Sequence, residues 1–180
     1  MSDANKTKYE VVKIIRDVVL RGLSELGISN FDCVEFGQPS VQNMDRVVTC
    51  RLAKIEQVGW QRFSFPYENS TLFRKDEWIE QQSWQLQTIM KRSGAKVSAD
   101  TLTSEDVSGM LRVWINGRGN ERFRMKGCAS LRVDPLTVFV YNDDSELYQR
   151  RVAFTMKLQV PKELSFGQEY VGWEVETKPV

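Results

Sequence analysis

The side chains able to do chemistry in this chain are carboxylates, thiols and a cluster of guanidinium groups, and histidine is absent altogether. Without imidazole there is no Ser-His-Asp or Cys-His nucleophile, no histidine general base and no histidine-ligated zinc or haem. Among the 24 acidic residues two close pairs stand out, Asp32 with Glu35 and Asp143 with Asp144. Such pairs can hold Mg²⁺ for nuclease chemistry. Both fall in loop-like segments, however, where solvated turns are the better expectation. The three cysteines, Cys33, Cys50 and Cys128, are odd in number, widely spaced and form no CxxC pair. Reduced thiols are expected from them, not a disulfide framework or a zinc site. No P-loop, no GxGxxG after a strand and no GxSxG occurs, and Gly117-Arg118-Gly119 follows a helical pattern where a phosphate loop would follow a strand.

The guanidinium cluster is the strongest local charge. Arg112, Arg118, Arg122, Arg124, Lys126 and Arg132 face only Glu121 between positions 112 and 132, a local +5. Positions 134–146 hold Asp134, Asp143, Asp144 and Glu146 and no base, a local −4. The basic stretch could touch phosphates, but only Phe123 interleaves with it, so it makes a poor stacking platform for single strands. A solvated or intersubunit face is the better expectation. Over the whole chain 25 basic residues nearly balance 24 acidic ones, and a net +1 advertises neither nucleic acid nor anionic lipid as a partner.

The elements that position these groups follow from periodicity. At 180 residues, 41% hydrophobic and 27% charged, the chain has ordinary globular composition and is expected to form a single domain over 1–180, with 1–6 a loose terminus. Thr7 and Glu10 have capping-box spacing. The stripe Val11, Val12, Ile15, Val18, Val19, Leu23 and Leu26 then predicts a helix over about 7–26, closed by Gly27. Lys13, Arg16 and Asp17 break its most apolar stretch, so it is neither a signal segment nor a membrane span, and a cytoplasmic protein or one in a particle assembled there is expected. Positions 28–45 are mostly loop with a short strand near Val34–Phe36, and 46–56 is a strand. The aromatic segment 57–76 is either a long hairpin or docking surface, or a loop folded back to complete the core.

Period-two alternation across 77–91 predicts a long strand with Trp78, Trp84, Leu86 and Met90 buried and Gln81, Ser83, Gln85 and Gln87 wet. Thr103 caps a second amphipathic helix over about 104–116, carrying Val107, Met110, Leu111, Trp114 and Ile115, with Gly109 taken to mark close backbone packing. Asn116-Gly117 is expected to end it, with Gly119 in a loop before a short helical turn at 120–126. Strands follow at 131–141, interrupted by Asp134-Pro135, and at 147–160. A turn at 142–145 separates them, Pro161 ends the ladder, and a last strand is expected at 169–176. The fold class is thus α+β: a mixed, mainly antiparallel sheet of about four to six strands flanked by two main helices.

This plan resembles the tail terminator (neck terminator) proteins of tailed bacteriophages. The resemblance rests on the opening helix Tyr9–Leu26, the strand WIEQQSWQLQ at 78–87, the helix EDVSGMLRVWIN at 105–116, the strand YQRRVAFTMKLQV at 148–160 and the acidic segment YVGWEVE at 170–176. It spans about residues 8–177. It implies a structural virion protein with no catalytic residue, cofactor or metal. Such a protein forms a hexameric ring with copies of itself, caps the tail tube protein and ends its polymerisation. It also joins a head-connector or stopper protein, touches the sheath where the tail is contractile, and passes DNA through its lumen without meeting a membrane. Candidate interface residues are Phe63, Phe65, Tyr67, Phe73, Gln81, Gln85, Gln87, Arg118, Arg122 and Arg124. The basic stretch and the acidic segments 134–146 and 163–176 are candidate complementary patches between subunits. A head-completion or stopper protein is the alternative within this class, a Mg²⁺-dependent nuclease one outside it, and a soluble ligand-binding module using the aromatic loop another.

Overall fold

In a computed structural model, residues 6–37, 46–68, 71–90, 102–142 and 148–168 are described. Helix α1 spans Lys8–Glu25. Its capping box is complete: the Thr7 hydroxyl accepts the Glu10 N–H at 3.2 Å and the Glu10 carboxylate accepts the Thr7 N–H at 2.6 Å. These bonds hold the Glu10 carboxyl below its ordinary pKa, the Thr7 backbone bond most strongly. At the other end Gly27 takes φ +72°, and Ile28 N–H reaches back to the Leu23 carbonyl at 2.8 Å. That is the left-handed closure a glycine after the last turn permits. The stripe Val11, Ile15, Val18, Val19 and Leu23 is buried.

The strands are β1 (Asp32–Glu35), β2 (Arg46–Ser64), β3 (Tyr67–Glu68), β4 (Thr71–Met90), β5 (Ala129–Val133), β6 (Thr137–Asn142) and β7 (Tyr148–Gln168). They form one sheet in the order β1-β2-β4-β7-β5, with two-residue β3 on β4 and β6 on β7. Only β1 and β2 are parallel; the remaining pairs are antiparallel. The α+β class and the mainly antiparallel sheet are therefore as expected, with seven strands when β3 is counted.

The core lies where the helices meet one face of this sheet. Rows such as Cys50–Leu86–Phe154 and Leu52–Trp84–Met156 cross β2, β4 and β7 and pack against Val11, Ile15, Val107 and Leu111. Helix α2 (Ser104–Trp114) begins with a second capping box, Thr103 with Asp106. It does not end at Asn116-Gly117: a π turn (Ile115–Gly119) carries it into α3 (Asn120–Met125). The Trp114 indole explains the irregularity. It is wedged so closely that a Cβ built on Gly22 of α1 would lie 2.7 Å from the ring, and one built on Gly119 would lie 2.8 Å from it. The close packing expected at Gly109 is found at these two glycines; a Cβ on Gly109 would meet only Leu136, at 3.8 Å.

Three strands outrun the helices. β4 alone has 20 residues, about 65 Å at ~3.3 Å per residue. A compact globule of this chain length has a radius of gyration of only about 16 Å. Residues 53–64 of β2, 71–80 of β4 and 161–168 of β7 therefore form a three-stranded arm beyond the packed core. One expectation is corrected by it and one open choice decided. Pro161 does not end the ladder, since β7 runs through it to Gln168, paired with β4. β5 stops opposite Gln159, so Pro161 lies beside an edge with no partner strand among the described residues, a place where a proline's missing N–H is tolerated. Of the two readings of the aromatic segment, the extended hairpin is the one found, not a loop folded back onto the core: Trp60 is 98% exposed, Phe63 63% and Phe65 52%. The strand expected at 169–176 and the acidic residues Asp143, Asp144 and Glu146 lie outside the described residues.

Candidate interaction surface

The arm is built by register. Opposed residues share a face, so the rows Arg51–Gln85–Thr155, Lys54–Ser83–Lys157, Glu56–Gln81–Gln159 and Arg62–Glu77–Glu163 give a charge-alternating face, interrupted by the apolar row Val58–Ile79–Pro161. On it Lys54 pairs with Glu56, and Lys75 bridges Glu77 at 2.9 Å and Glu163 at 3.1 Å. The two carboxylates raise the Lys75 pKa, Glu77 more strongly. The glutamine face expected to be wet is only partly so: Gln81, Gln85 and Gln87 are half-buried, and Thr49, Ser83 and Ala153 among them are buried.

The other face of the arm continues the core face without helices above it. Phe63, Asp76 and Leu164 form one row, with Phe63 and Leu164 exposed. Phe63 meets Phe65 edge-on at 6.2 Å, and the Arg74 guanidinium lies 5.9 Å from the Phe63 ring. Buried Asp76 fixes this corner by accepting from Arg74 Nε at 2.9 Å and Gln61 Nε2 at 3.1 Å. Tyr67 opposes Leu72 at the tip beside Phe73, which pairs with Gly167; the side chains of Tyr67 and Phe73 lie outside the described part. The structure thus brings Phe63 and Phe65 together. It sets them apart from the arginines of α3.

Those arginines largely meet partners within the chain. Glu25, at the end of α1, accepts from Arg21 at 2.8 Å, from the Trp114 indole N–H at 3.1 Å and from Arg122 at 3.3 Å, with Arg118 4.0 Å away. The Arg21 and Trp114 bonds hold its carboxyl below the usual range. Arg112 donates to the Asp134 carbonyl at 2.8 Å and Arg132 pairs with the Asp134 carboxylate at 3.0 Å. Lys126 approaches Asp17 at 3.9 Å. Asp134, an acidic residue assigned to the complementary patch, therefore serves its own chain. Among the described residues Arg124 alone of the three predicted interface arginines has no ion pair.

The carboxylate pair of β1 is likewise engaged. Asp32 accepts from Arg16 at 3.1 Å and from the Cys33 N–H at 2.7 Å, while Glu35 pairs with Lys8. Asp143 and Asp144 lie outside the described residues, among which no group of three or more His, Cys, Asp or Glu is placed to hold a metal. Cys33, Cys50 and Cys128 are buried thiols; the Cys33 pKa is raised well above normal, chiefly by its hydrogen bond with Cys50.

Two residues of consequence escape pattern reading. Gln82 sits on the core face, 2% exposed, and accepts from the Trp84 indole at 3.0 Å while donating to Glu80 at 3.1 Å. Trp60 lies in a bulge where residues 59–61 face the single residue Trp78, and Gly59 there takes φ +80°. A glycine inside a strand pattern is the signal that could have located it.

The sheet extends past the chain's own core and presents apolar side chains there. The family model described as E217 gateway protein gp29 matches residues 10–167, and the chain belongs to that family, one of phage structural proteins. No curated protein matches the chain. No helix among the described residues is long and apolar enough to cross a membrane.

Proposed function

We propose that this chain is a ring-forming virion protein of the head–tail junction, a tail or neck terminator that caps the tail tube and joins it to the head connector. The observation that carries this reading is the three-stranded arm, which exposes Trp60, Phe63, Phe65 and Leu164 on strands that the chain's own helices do not cover. A lone subunit gains nothing from about 30 Å of unprotected sheet, whereas a ring of copies stacked on a coaxial cylinder uses it. Membership of a gateway-protein family agrees with a place at that junction, and the engaged carboxylates of β1 agree with a non-enzymatic role. The long strands favour the terminator over a largely helical stopper protein. The test is sedimentation and negative-stain microscopy of the purified chain, alone and with tail tube protein. Rings that bind tube ends and limit tube length are expected. A chain that stays monomeric and leaves tube length unchanged would overturn the reading.

A further inference from the structure

We infer that Trp60 of one copy docks in a groove at the opposite sheet edge of the next copy, an inference that rests on the ring reading above. The groove has a volume of about 260 Å³. It is lined by Ile79 of β4, Gln159 and Pro161 of β7, Arg124 of α3, and Cys128 and Ala129 where α3 turns into β5. Ile79 is 41% exposed although it belongs to this lining.

What selects a second copy as the occupant is position. Val58, Ile79 and Pro161 form one row across β2, β4 and β7. Trp60 therefore leaves the β2 edge at the level where the groove opens beside the β7 edge, two strand spacings or about 10 Å away. Copies placed side by side around an axis set each Trp60 against the neighbouring groove at matching height. This is a heterologous contact, knob on one edge and hole on the other, which is the kind that closes rings. Within one chain Trp60 sits on the β2 edge and does not fill the groove beside β7: it stays 98% exposed. Chemistry agrees with position. An indole offers a large rigid apolar surface, and Arg124 at the groove can lie over its face as the cation of a cation–π pair. Trp and Arg are the residue types that dominate interface energetics.

The experiment is disulfide trapping with the full chain. Trp60→Cys and Ala129→Cys are combined in one protein and treated with a mild oxidant. In one chain these positions lie on strands separated by β4 and β7, about 14 Å apart, too far for an internal bridge. With the groove's own thiol removed by Cys128→Ala in every variant, a ladder of covalent multimers ending at the ring size is expected from the double variant, and none from either single variant. Separately, Trp60→Ala and Arg124→Ala, both at exposed positions, are expected to raise the concentration needed for self-association at least ~10-fold for tryptophan and less for arginine. A wild-type chain that forms rings while the double variant gives no ladder and Trp60→Ala assembles normally overturns this contact and leaves the ring reading standing. A wild-type chain that never self-associates, with or without tube protein, overturns both.

Discussion

Replacing Gly22 by alanine should destabilise the protein, although helix propensity alone says the opposite. Gly22 lies in the last turn of an 18-residue helix, where alanine gains up to about 1 kcal/mol over glycine. The new Cβ, however, would lie 2.7 Å from Trp114 Cε3. The indole has little freedom to move: Gly119 abuts the same Cε3–Cζ3 edge at comparable closeness, and its N–H is bonded to Glu25 at 3.1 Å. Overpacking of this kind costs about 1–3 kcal/mol, so the net change is a loss of about 1 kcal/mol, a drop in Tm of about 2–4 °C for a chain this long. Gly109→Ala supplies the contrast, because its Cβ meets only Leu136 at 3.8 Å and should add up to about 1 kcal/mol. A third variant isolates the cause: in a Trp114→Leu background, Gly22→Ala should become stabilising. Urea unfolding followed by circular dichroism at fixed protomer concentration reads all three. A Gly22→Ala protein more stable than the wild type, or no sign reversal in the Trp114→Leu background, would refute the wedge and with it the account of why α2 passes through a π turn.

The same corner should respond to acid. Glu25 has a lowered pKa, so its contribution is fully present above the ordinary glutamate value of 4.5 and is lost as pH falls through the lowered value; Glu25→Gln should flatten that acid limb in thermal melts from pH 3 to 7. Gln82→Leu should cost about 1–3 kcal/mol by leaving the fully buried Trp84 indole N–H without its acceptor, whereas Gln85→Leu on the opposite face should leave urea stability within about 0.5 kcal/mol of wild type. Thr7→Ala should remove the α1 capping box at a cost of about 1 kcal/mol without affecting ring formation, since the cap lies on the helical side of the core.

How much of this was legible in sequence depended on whether one face of an element was dry. Helix α1 was plain because Thr7, Glu10, a seven-member stripe and Gly27 all agreed. Strand β4 was plain from Trp84 and Leu86 onward for the same reason, and its alternation there matches burial. Toward Thr71 that signal vanishes. In the arm both faces of the sheet are open, so no binary pattern is imposed and the segment 57–76 looks like a loop. Its strand character comes from hydrogen bonding to β4 and β7, which sequence separation hides. Gln82 stood out in neither pattern, because a glutamine on the dry face is explained only by the buried indole N–H of Trp84, which requires a polar neighbour. The π turn left no mark beyond Gly119, whose purpose is visible only once Trp114 is placed against it.

Charge was the loudest feature of the sequence, and most of the basic cluster is engaged within the chain. A local +5 invites a partner of opposite sign, yet Glu25, Asp17 and the Asp134 carboxylate and carbonyl already meet Arg118, Arg122, Lys126, Arg132 and Arg112. Reversing Arg118 or Arg122 would therefore disturb the α1–α3 corner as well as any neighbour, and a loss of assembly would not identify the contact. Arg124 differs because no in-chain ion pair among the described residues would be broken. It stands beside the apolar groove, where its charge can act on an aromatic face and not on a carboxylate. On the docking inferred above, specificity between copies follows from shape and height along the sheet, with salt having little effect on it. Assembly that persists when ionic strength rises from 0.05 to about 1 M, where the screening length falls to ~3 Å, agrees with that origin, and dissolution of the ring by salt contradicts it.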